Sequence, residues 1–399
     1  MIELDEALER LVSEPVSGAI EEVFLENAHG RTLAENVPAD ADMPPFDRSA
    51  MDGVAFAEAP TPGKPVPLMG TIAAGDSPWD RPLQRGECVA IMTGAPLPPG
   101  ADRVIPVEEL KREQGVVVAE VEGRSQAHIR FQGEVVKKGD PVLNAGMLLT
   151  PERVGVLASV GKGRVNVFSQ PRVAIASTGE ELVPVTETPG PGQIRDSNRW
   201  VIGALAASWG GEARYLPRLG DTPEEVKQSV HAGLESDILV FSGGVSMGEF
   251  DFVDKTLREM GVREIFHKVA IKPGKPVFVG RLGKKWIFGL PGNPVSTAVT
   301  ARLFLRLVMA RMQGHPSGLP RRIQVPVVGD LKPIKHRSTF VSGRWMKSAE
   351  IRCVKPVQTM GSGDAIHHAH GDTLIFRPAG SPAVSDGQFV EVWLTDETR

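Results

Sequence analysis

The spacing of apolar positions changes three times along the chain. Residues 1–40 read as a short amphipathic helix ("MIELDEALERLV"), a strand ("EEVFLENA") and a turn at His29-Gly30. Across 45–141 the apolar runs are short, alternating and bounded by Gly and Pro. "ECVAIMTGAPLPPGADRVIPVEEL" and "GVVVAEVEG" are the clearest, and they predict β strands. Thr150 and Pro151 predict the capped start of a helix, followed by a strand ending near 168.

From 170 the runs lengthen. "RVAIAST" and "DILVFSGG" read as strands buried on both faces. Segments of helical period separate such strands. These are "DSNRWVIGALAASWG", "DTPEEVKQSVHAGLES", "FDFVDKTLREMG" and the stretch after Asn293-Pro294. Thr222 and Glu225 form a capping-box pair around Pro223, and Gly261 stops the third segment. This alternation predicts a parallel sheet with helices on both faces. After Gly314 the pattern returns to short strands, "RRIQVPVVG", "STFVSGRWM", "EIRCVKPV", "DTLIFRP" and "FVEVWL", and predicts a small β-barrel or sandwich.

The expected fold class is multidomain α/β plus β. A central doubly wound α/β domain covers 169–318, a β-rich insertion covers 45–141, and a small C-terminal β-barrel covers 319–399. Residues 1–44 and 142–168 join into a further small part. A chain of 399 residues has room for two to four domains at about 150 residues each.

Charge and cysteine content narrow the function. A net charge of −4 gives no bulk attraction to nucleic acid or to an anionic membrane. Cys88 and Cys353 are the two cysteines, too few for a disulfide framework or a Cys-rich zinc site. The first residues do not read as a signal peptide. The most apolar long stretch, "TAVTARLFLRLVMARM", carries Arg302, Arg306 and Arg311 and does not read as a membrane span. A reducing cytoplasm is the expected location.

Candidate chemistry gathers in four loops expected at the carboxyl ends of the α/β strands, where open sheets of this kind bind ligands. They are "STGEEL" (177–182), "RLGDTPEE" (218–225), "SGGVSMGEFD" (242–251) and "GLPGNPVS" (289–296). Ser242, Gly243 and Gly244 let backbone N–H groups converge on an anion. Pro291, Gly292 and Asn293 form a second turn, although any one such loop can be plain turn chemistry. "KVAIKPGKP" places Lys268, Lys272 and Lys275 in a stiff loop, and Lys suits a phosphate or oxyanion as a compact charge. Glu180, Glu181, Asp221, Glu249 and Asp251 lie beside these basic and glycine-rich loops. Some serve as caps. A divalent cation between acids and an anion would cancel their repulsion, and Mg²⁺ is commonly held by one or two carboxylates plus ligand phosphates. There is no G-x-x-x-x-G-K-[ST], no C-x-x-C and no H-E-x-x-H. His367, His368 and His370 in "HHAH" offer metal ligands or a solvated surface cluster.

"PPFDRSAMDG", "MTGAPLPPGAD", "STGEEL", "SGGVSMGEFDF", "AIKPGKP" and "GLPGNPVS" occur in an order that resembles the molybdopterin molybdotransferase (MoeA) family, itself similar to the C-terminal domain of gephyrin. The resemblance covers almost the whole chain. It implies four domains, with 169–318 binding molybdopterin and 1–44 with 142–168 serving linkage and dimerisation. It also implies a cytoplasmic homodimer that inserts molybdate into the dithiolene of adenylated molybdopterin, releases AMP and uses Mg²⁺. Other proteins of molybdenum cofactor biosynthesis are implied as partners.

Carried onto this chain, the family's catalytic positions resemble Asp52, Thr93, Glu181, Asp221, Asp251, Lys268 and Lys272. The metal ligands among them are Glu181, Asp221 and Asp251. Ser242, Gly243, Gly244, Lys275, Pro291, Gly292, Asn293 and Ser362 match cofactor-binding positions. The chain departs from the family at Val54, where an aromatic is usual. It departs at Val135, where an acid is usual, and at the 367–370 histidines, where a Ser-rich pattern is typical. Three alternatives stand beside this reading: a molybdopterin adenylyltransferase, a non-catalytic scaffold, and a paralogue specialised for tungstate.

Overall fold

The computed structural model describes residues 1–16, 18–218, 222–243, 252–315, 318–348 and 351–394. The chain forms two compact units, one of Phe24–His29 and Glu35–Val165, the other of Met1–Val23, Gly30–Ala34 and Asn166–Arg399.

The smaller unit is built on a six-stranded sheet of β1 (Gly53–Phe56), β2 (Pro65–Ile72), β3 (Cys88–Ile91), β4 (Arg103–Pro106), β5 (Leu110–Glu113) and β6 (Val116–Ala119), in the order β4-β1-β3-β2-β6-β5. Only the β2–β3 pair is parallel. Successive residues of a strand point to opposite faces. Ala55, Val89, Ile91 and Val104 therefore fill one core, and Val54, Phe56, Cys88 and Ile105 fill the other. Val54, where the resemblance leads one to expect an aromatic, is fully buried. The expected helix is present as Pro151–Ser159. Thr150 caps it by accepting from the Arg153 N–H at 3.4 Å.

The larger unit carries β7 (Arg172–Ser177), β8 (Glu212–Tyr215), β9 (Ile238–Ser242), β10 (Arg263–His267), β12 (Phe278–Leu282) and β13 (Lys285–Leu290). They run in the order β8-β7-β9-β13-β12-β10. A short strand, β11 (Ile271–Lys272), pairs instead with Ser338 and Thr339. Helices α1 (Leu4–Ser13), α2 (Asn198–Ser208), α5 (Pro294–Thr300) and α6 (Arg306–Met312) share one core with Val173, Ile175, Ile238 and Val240. Helices α3 (Pro223–Gly233) and α4 (Phe252–Glu259) share another with Ala174, Ala176, Leu239 and Phe241. Alternate residues of the same strands thus feed cores on both faces, as a doubly wound layer requires.

One expectation is corrected. The sheet is mixed, with β8, β7, β9 and β13 parallel and β12 and β10 antiparallel to their neighbours. The cause is the two-residue turn Gly283-Lys284, with Gly283 at φ 59°. So short a link closes a hairpin and leaves no room for a crossover helix. The long apolar helix is also interrupted, by a π turn at Ala301–Leu305 between α5 and α6.

The C-terminal strands are β14 (Arg321–Pro326), β15 (Ser338–Ser348), β16 (Ile351–Pro356), β17 (Thr373–Arg377) and β18 (Phe389–Leu394). They pair in the order β15-β17-β18-β14, with β16 on the other side of β15 and β11 added parallel to β15. The ladders make a mixed sheet, and a closed ring of ladders is absent among the described residues. A single bridge, Val327 to Val354, joins the residue after β14 to β16. Phe340, Leu374 and Trp393 face the α/β core, while Val325, Val354, Ile375 and Val392 form a core of their own.

Candidate functional site

Strands β7, β9 and β13 end level with one another. Ser177 is paired with Ser242, and Ser242 with Leu290. The loops that follow therefore leave the sheet side by side. The Thr178 N–H donates to the Ser242 carbonyl at 3.1 Å, and the Gly243 N–H to the Leu290 carbonyl at 3.1 Å. Gly243 has φ 93°. A Cβ there would lie 2.8 Å from the Thr178 carbonyl oxygen and 3.0 Å from its hydroxyl. Only glycine fits this cleft. Gly292 faces it, with its ideal Cβ position 3.7 Å from the Gly243 Cα.

Polar groups without protein partners surround these glycines. The hydroxyls of Ser177 and Thr178 are buried with no hydrogen-bond partner. The Asn198 amide donates to the Gly292 carbonyl at 2.7 Å, while its Oδ1 accepts from no protein group. Asp196 is buried, and its Oδ2 accepts no hydrogen bond, although the Arg199 guanidinium lies 3.8 Å away. Buried polar atoms ordinarily have partners, so such a concentration marks a place where a ligand or water completes them. Sequence reasoning missed Asp196 and Asn198. Their signal was "DSN" at a helix start, which reads equally as capping residues.

Of the expected acids, Glu181 is exposed, and its carboxylate folds back over Gly179. A Cβ on Gly179 would meet its Oε2 at 2.6 Å. Asp221, Gly244 and Asp251, with Glu249, lie outside the described residues.

Asn293 stands at the start of α5 as expected, but its side chain does not cap the helix. Its amide donates to the Ser362 hydroxyl at 3.0 Å, and the Val295 N–H donates to the Ser362 carbonyl at 3.0 Å. Pro291 is buried, and its carbonyl accepts from the Thr297 hydroxyl at 2.5 Å.

The lysine loop is fastened at both ends. Lys268 has φ 66°, a conformation uncommon for a residue with a Cβ. Its N–H donates to the Val277 carbonyl at 2.9 Å. Lys272 sits in β11, paired with Thr339, so the loop belongs to the C-terminal sheet as well. Gly274 lies hard against α5, where a Cβ would come within 2.4 Å of the Thr300 methyl. Lys272 and Lys275 line a cavity of about 820 Å³ together with Asn293, Ser296 and Ser362. Its other wall, from the C-terminal sheet, includes Arg337, Ser342 and Arg377.

Arg377 is 4% exposed, and burial pushes its guanidinium below the usual arginine range. One terminal nitrogen donates to the Pro382 carbonyl, and the other, Nη1, has no protein partner. A buried guanidinium with an unpartnered nitrogen, in a residue that lines a cavity, is a candidate anion donor. "LIFRP" gave no sign of it, because it reads as a strand end.

Asp52 and Thr93 are brought together with each other, in the smaller unit. The Thr93 N–H and hydroxyl both donate to Asp52 Oδ1, at 2.7 and 3.0 Å. The backbone N–H first, and the hydroxyl second, hold the Asp52 carboxyl below its usual range.

The histidine cluster is divided. His367 Nδ1 bonds Asp364 at 2.9 Å, and His368 Nδ1 bonds the Ser342 hydroxyl. A different trio, Asp254, Glu264 and His267, brings ligand atoms within 4.8 Å of one another. Arg258 bonds both of those acids, so the trio already has its counter-charge and reads as a structural ion-pair network. No helix among the described residues is long and apolar enough to cross a membrane.

Comparison with known proteins agrees with this arrangement. Residues 2–161 match the MoeA N-terminal region (domain I and II), and residues 174–311 match a probable molybdopterin binding domain. The chain is 31% identical to a molybdopterin molybdenumtransferase of Staphylococcus aureus (strain COL), over 99% of this chain and 96% of that protein. It is similar in structure to the molybdopterin biosynthesis MoeA protein of Pyrococcus horikoshii, at 29% identity and a TM-score of 0.84, with 99% of each chain covered. A molybdenum cofactor biosynthesis protein of Pyrococcus furiosus, at 18% identity and a TM-score of 0.61, shares the fold. The chain belongs to the MoeA family of molybdopterin molybdenumtransferases.

Proposed function

We propose that this chain inserts molybdate into the dithiolene of adenylated molybdopterin and releases AMP. The observation that carries the reading is the Gly243 cleft. Backbone crowding there excludes any Cβ, and buried hydroxyls without partners line the same strand ends. Glycine approach of this kind lets main-chain N–H groups reach a phosphate.

In this reading Ser242, Gly243 and Gly244 hold the phosphate end of the pterin nucleotide, with Pro291, Gly292 and Asn293 beside them. Lys268, Lys272 and Lys275 supply positive charge to phosphate and oxyanion, and Ser362 orients Asn293. The cavity beside Lys272 receives molybdate, with Arg377 as an additional donor. Catalysis is positional and electrostatic and needs no protein nucleophile. Cys88 supports this, since burial pushes its thiol up to about 11 and keeps it an inert thiol.

Mg²⁺ fits the donor chemistry at the strand ends. Glu181, whose carboxylate folds over Gly179, offers oxygens of the kind a hard cation takes. Glu181, Asp221 and Asp251 are the residues that would hold it. Bound, it would supply positive charge that offsets the repulsion of phosphate by the carboxylates. Asp52 and Thr93 complete the catalytic set in this reading, and the working protein is a cytoplasmic homodimer of four-domain chains.

The test is incubation of purified protein with adenylated molybdopterin, molybdate and Mg²⁺. AMP release together with formation of molybdenum cofactor is expected, with both lost on chelation of Mg²⁺. Neither product in complete reactions would reject the proposal. Faster turnover with tungstate than with molybdate would reassign the oxyanion.

A further inference from the structure

The wall of the lysine-lined cavity contains a serine with an unusual neighbour. Ser342 lines the cavity, is 6% exposed, and shares a hydrogen bond with His368 Nδ1. The juncture is tightly built. Gly371 lies between them in space, and a Cβ there would come within 3.1 Å of the Ser342 Cβ and 3.3 Å of the His368 carbonyl oxygen. The Gly371 N–H donates to that carbonyl at 3.0 Å. His367, next along the helix α7 (Ala365–His368), is turned away and bonded to Asp364.

A hydroxyl has one proton to donate. When His368 Nδ1 carries no proton, the Ser342 hydroxyl donates to it and turns oxygen lone pairs toward the cavity. When His368 is an imidazolium, Nδ1–H donates to the Ser342 oxygen, and the hydroxyl proton is released toward the cavity. The first state repels an oxyanion, and the second binds one. We propose that Ser342 and His368 form a protonation-controlled donor, so that oxyanion binding in this cavity tightens as pH falls through the histidine's titration.

The charged and titratable groups on the surrounding elements are Asp364 and His367 beside or on α7, His370 and Asp372 beyond it, and Arg344 on β15. From the cavity wall come Lys272, Lys275, Asp330, Lys332, Arg337 and Arg377. Among side chains, the imidazole is the one whose ordinary titration falls between about pH 5 and pH 8. The inference rests on the molybdate reading of the cavity and assigns Ser342 and His368 as positioning residues within it.

The test is equilibrium binding of molybdate to the full chain at about pH 6 and about pH 8, on either side of an ordinary histidine pKa of about 6.5. We expect tighter binding at the lower pH by about 10- to 100-fold, the weight of one hydrogen bond to a charged group. His368→Gln and Ser342→Ala should each flatten that dependence. Equal affinity at both pH values overturns the inference, and so does a dependence retained in both variants. In those cases binding itself leaves the transferase reading standing. Absence of molybdate binding at either pH also overturns it, and AMP release in the same preparation then shows whether the transferase reading fails with it.

Discussion

The side-chain amide of Asn293 donates to the hydroxyl of Ser362 at 3.0 Å. The two residues are 69 positions apart, one at the start of α5 and the other in a loop after β16. With the Val295 N–H bonded to the Ser362 carbonyl, this contact pins the C-terminal loop onto the turn after β13. It also sets one edge of the cavity, which both residues line.

Removing either partner should therefore act on binding more than on folding. Asn293→Ala and Ser362→Ala are each expected to cost about 0.5–1.5 kcal/mol of stability, with a coupling in the double variant of the same order. The Val295–Ser362 backbone bond survives both changes. The Michaelis constant for adenylated molybdopterin should rise in each. Additive effects in the double variant would show that the contact does not act as a unit.

Gly243→Ala tests the cleft directly. The added methyl meets the Thr178 carbonyl oxygen at 2.8 Å, with φ at 93°. Strain of this kind costs on the order of 1–3 kcal/mol, read as a lower melting temperature. Nucleotide binding should fall at least as far, because relieving the clash shifts the loop that carries the proposed phosphate contacts. Gly387→Ala is the internal control, since it has a similarly positive φ of 79°, meets nothing within 4 Å and lies outside the proposed site. Equal damage from the two substitutions would argue against a specific role for Gly243.

Much of this arrangement was legible in the sequence where the cause was local. Thr150-Pro151 and Thr222-Pro223 open helices because a hydroxyl and a fixed φ act within one turn. Gly261 ends α4 for the same kind of reason, at φ 82°. What could not be read was set by distant parts of the chain. Asn293 was placed correctly, but its partner Ser362 comes from another sheet. Ile271–Lys272 was read as part of a loop, yet it completes the C-terminal sheet beside β15. The antiparallel edge depended on a two-residue turn inside an apolar stretch whose pattern suits either strand direction. Arg377 carried no signal, because a charged residue at a strand end is ordinarily solvated and this one is not.

Asp52 and Thr93 offer a pH measurement. Two donors from Thr93 depress the Asp52 carboxyl. A depressed carboxylate contributes stability at pH values above its unfolded pKa of about 3.9, and that contribution is lost as pH falls through the folded value. Thr93→Val removes the hydroxyl and keeps the backbone N–H, which is the larger cause. The Asp52 pKa should rise part of the way and stay below the ordinary range, as read by NMR titration of its carboxyl carbon. A complete return would mean that the hydroxyl and not the N–H holds the charge.

Arg377 separates a structural from a ligand-binding role most cleanly. Its guanidinium is buried and bonded to the Pro382 carbonyl, with Nη1 buried and without a protein partner, and the residue lines the cavity. If its work were structural, Arg377→Met would leave the Pro382 carbonyl unpaired and lower the melting temperature. If its work is to receive an anion, the same change removes a desolvated charge and fills the space with an apolar chain. Replacing a buried charge by a side chain of similar volume is often neutral or stabilising. The expected outcome is an unchanged or higher melting temperature without ligand, and molybdate affinity reduced about 10- to 100-fold, the weight of a charged hydrogen bond. Arg377→Lys should recover only part of that affinity, because an ammonium cannot bond Pro382 and the anion with the geometry of a guanidinium fork. Intact molybdate binding in Arg377→Met would remove Arg377 from the site.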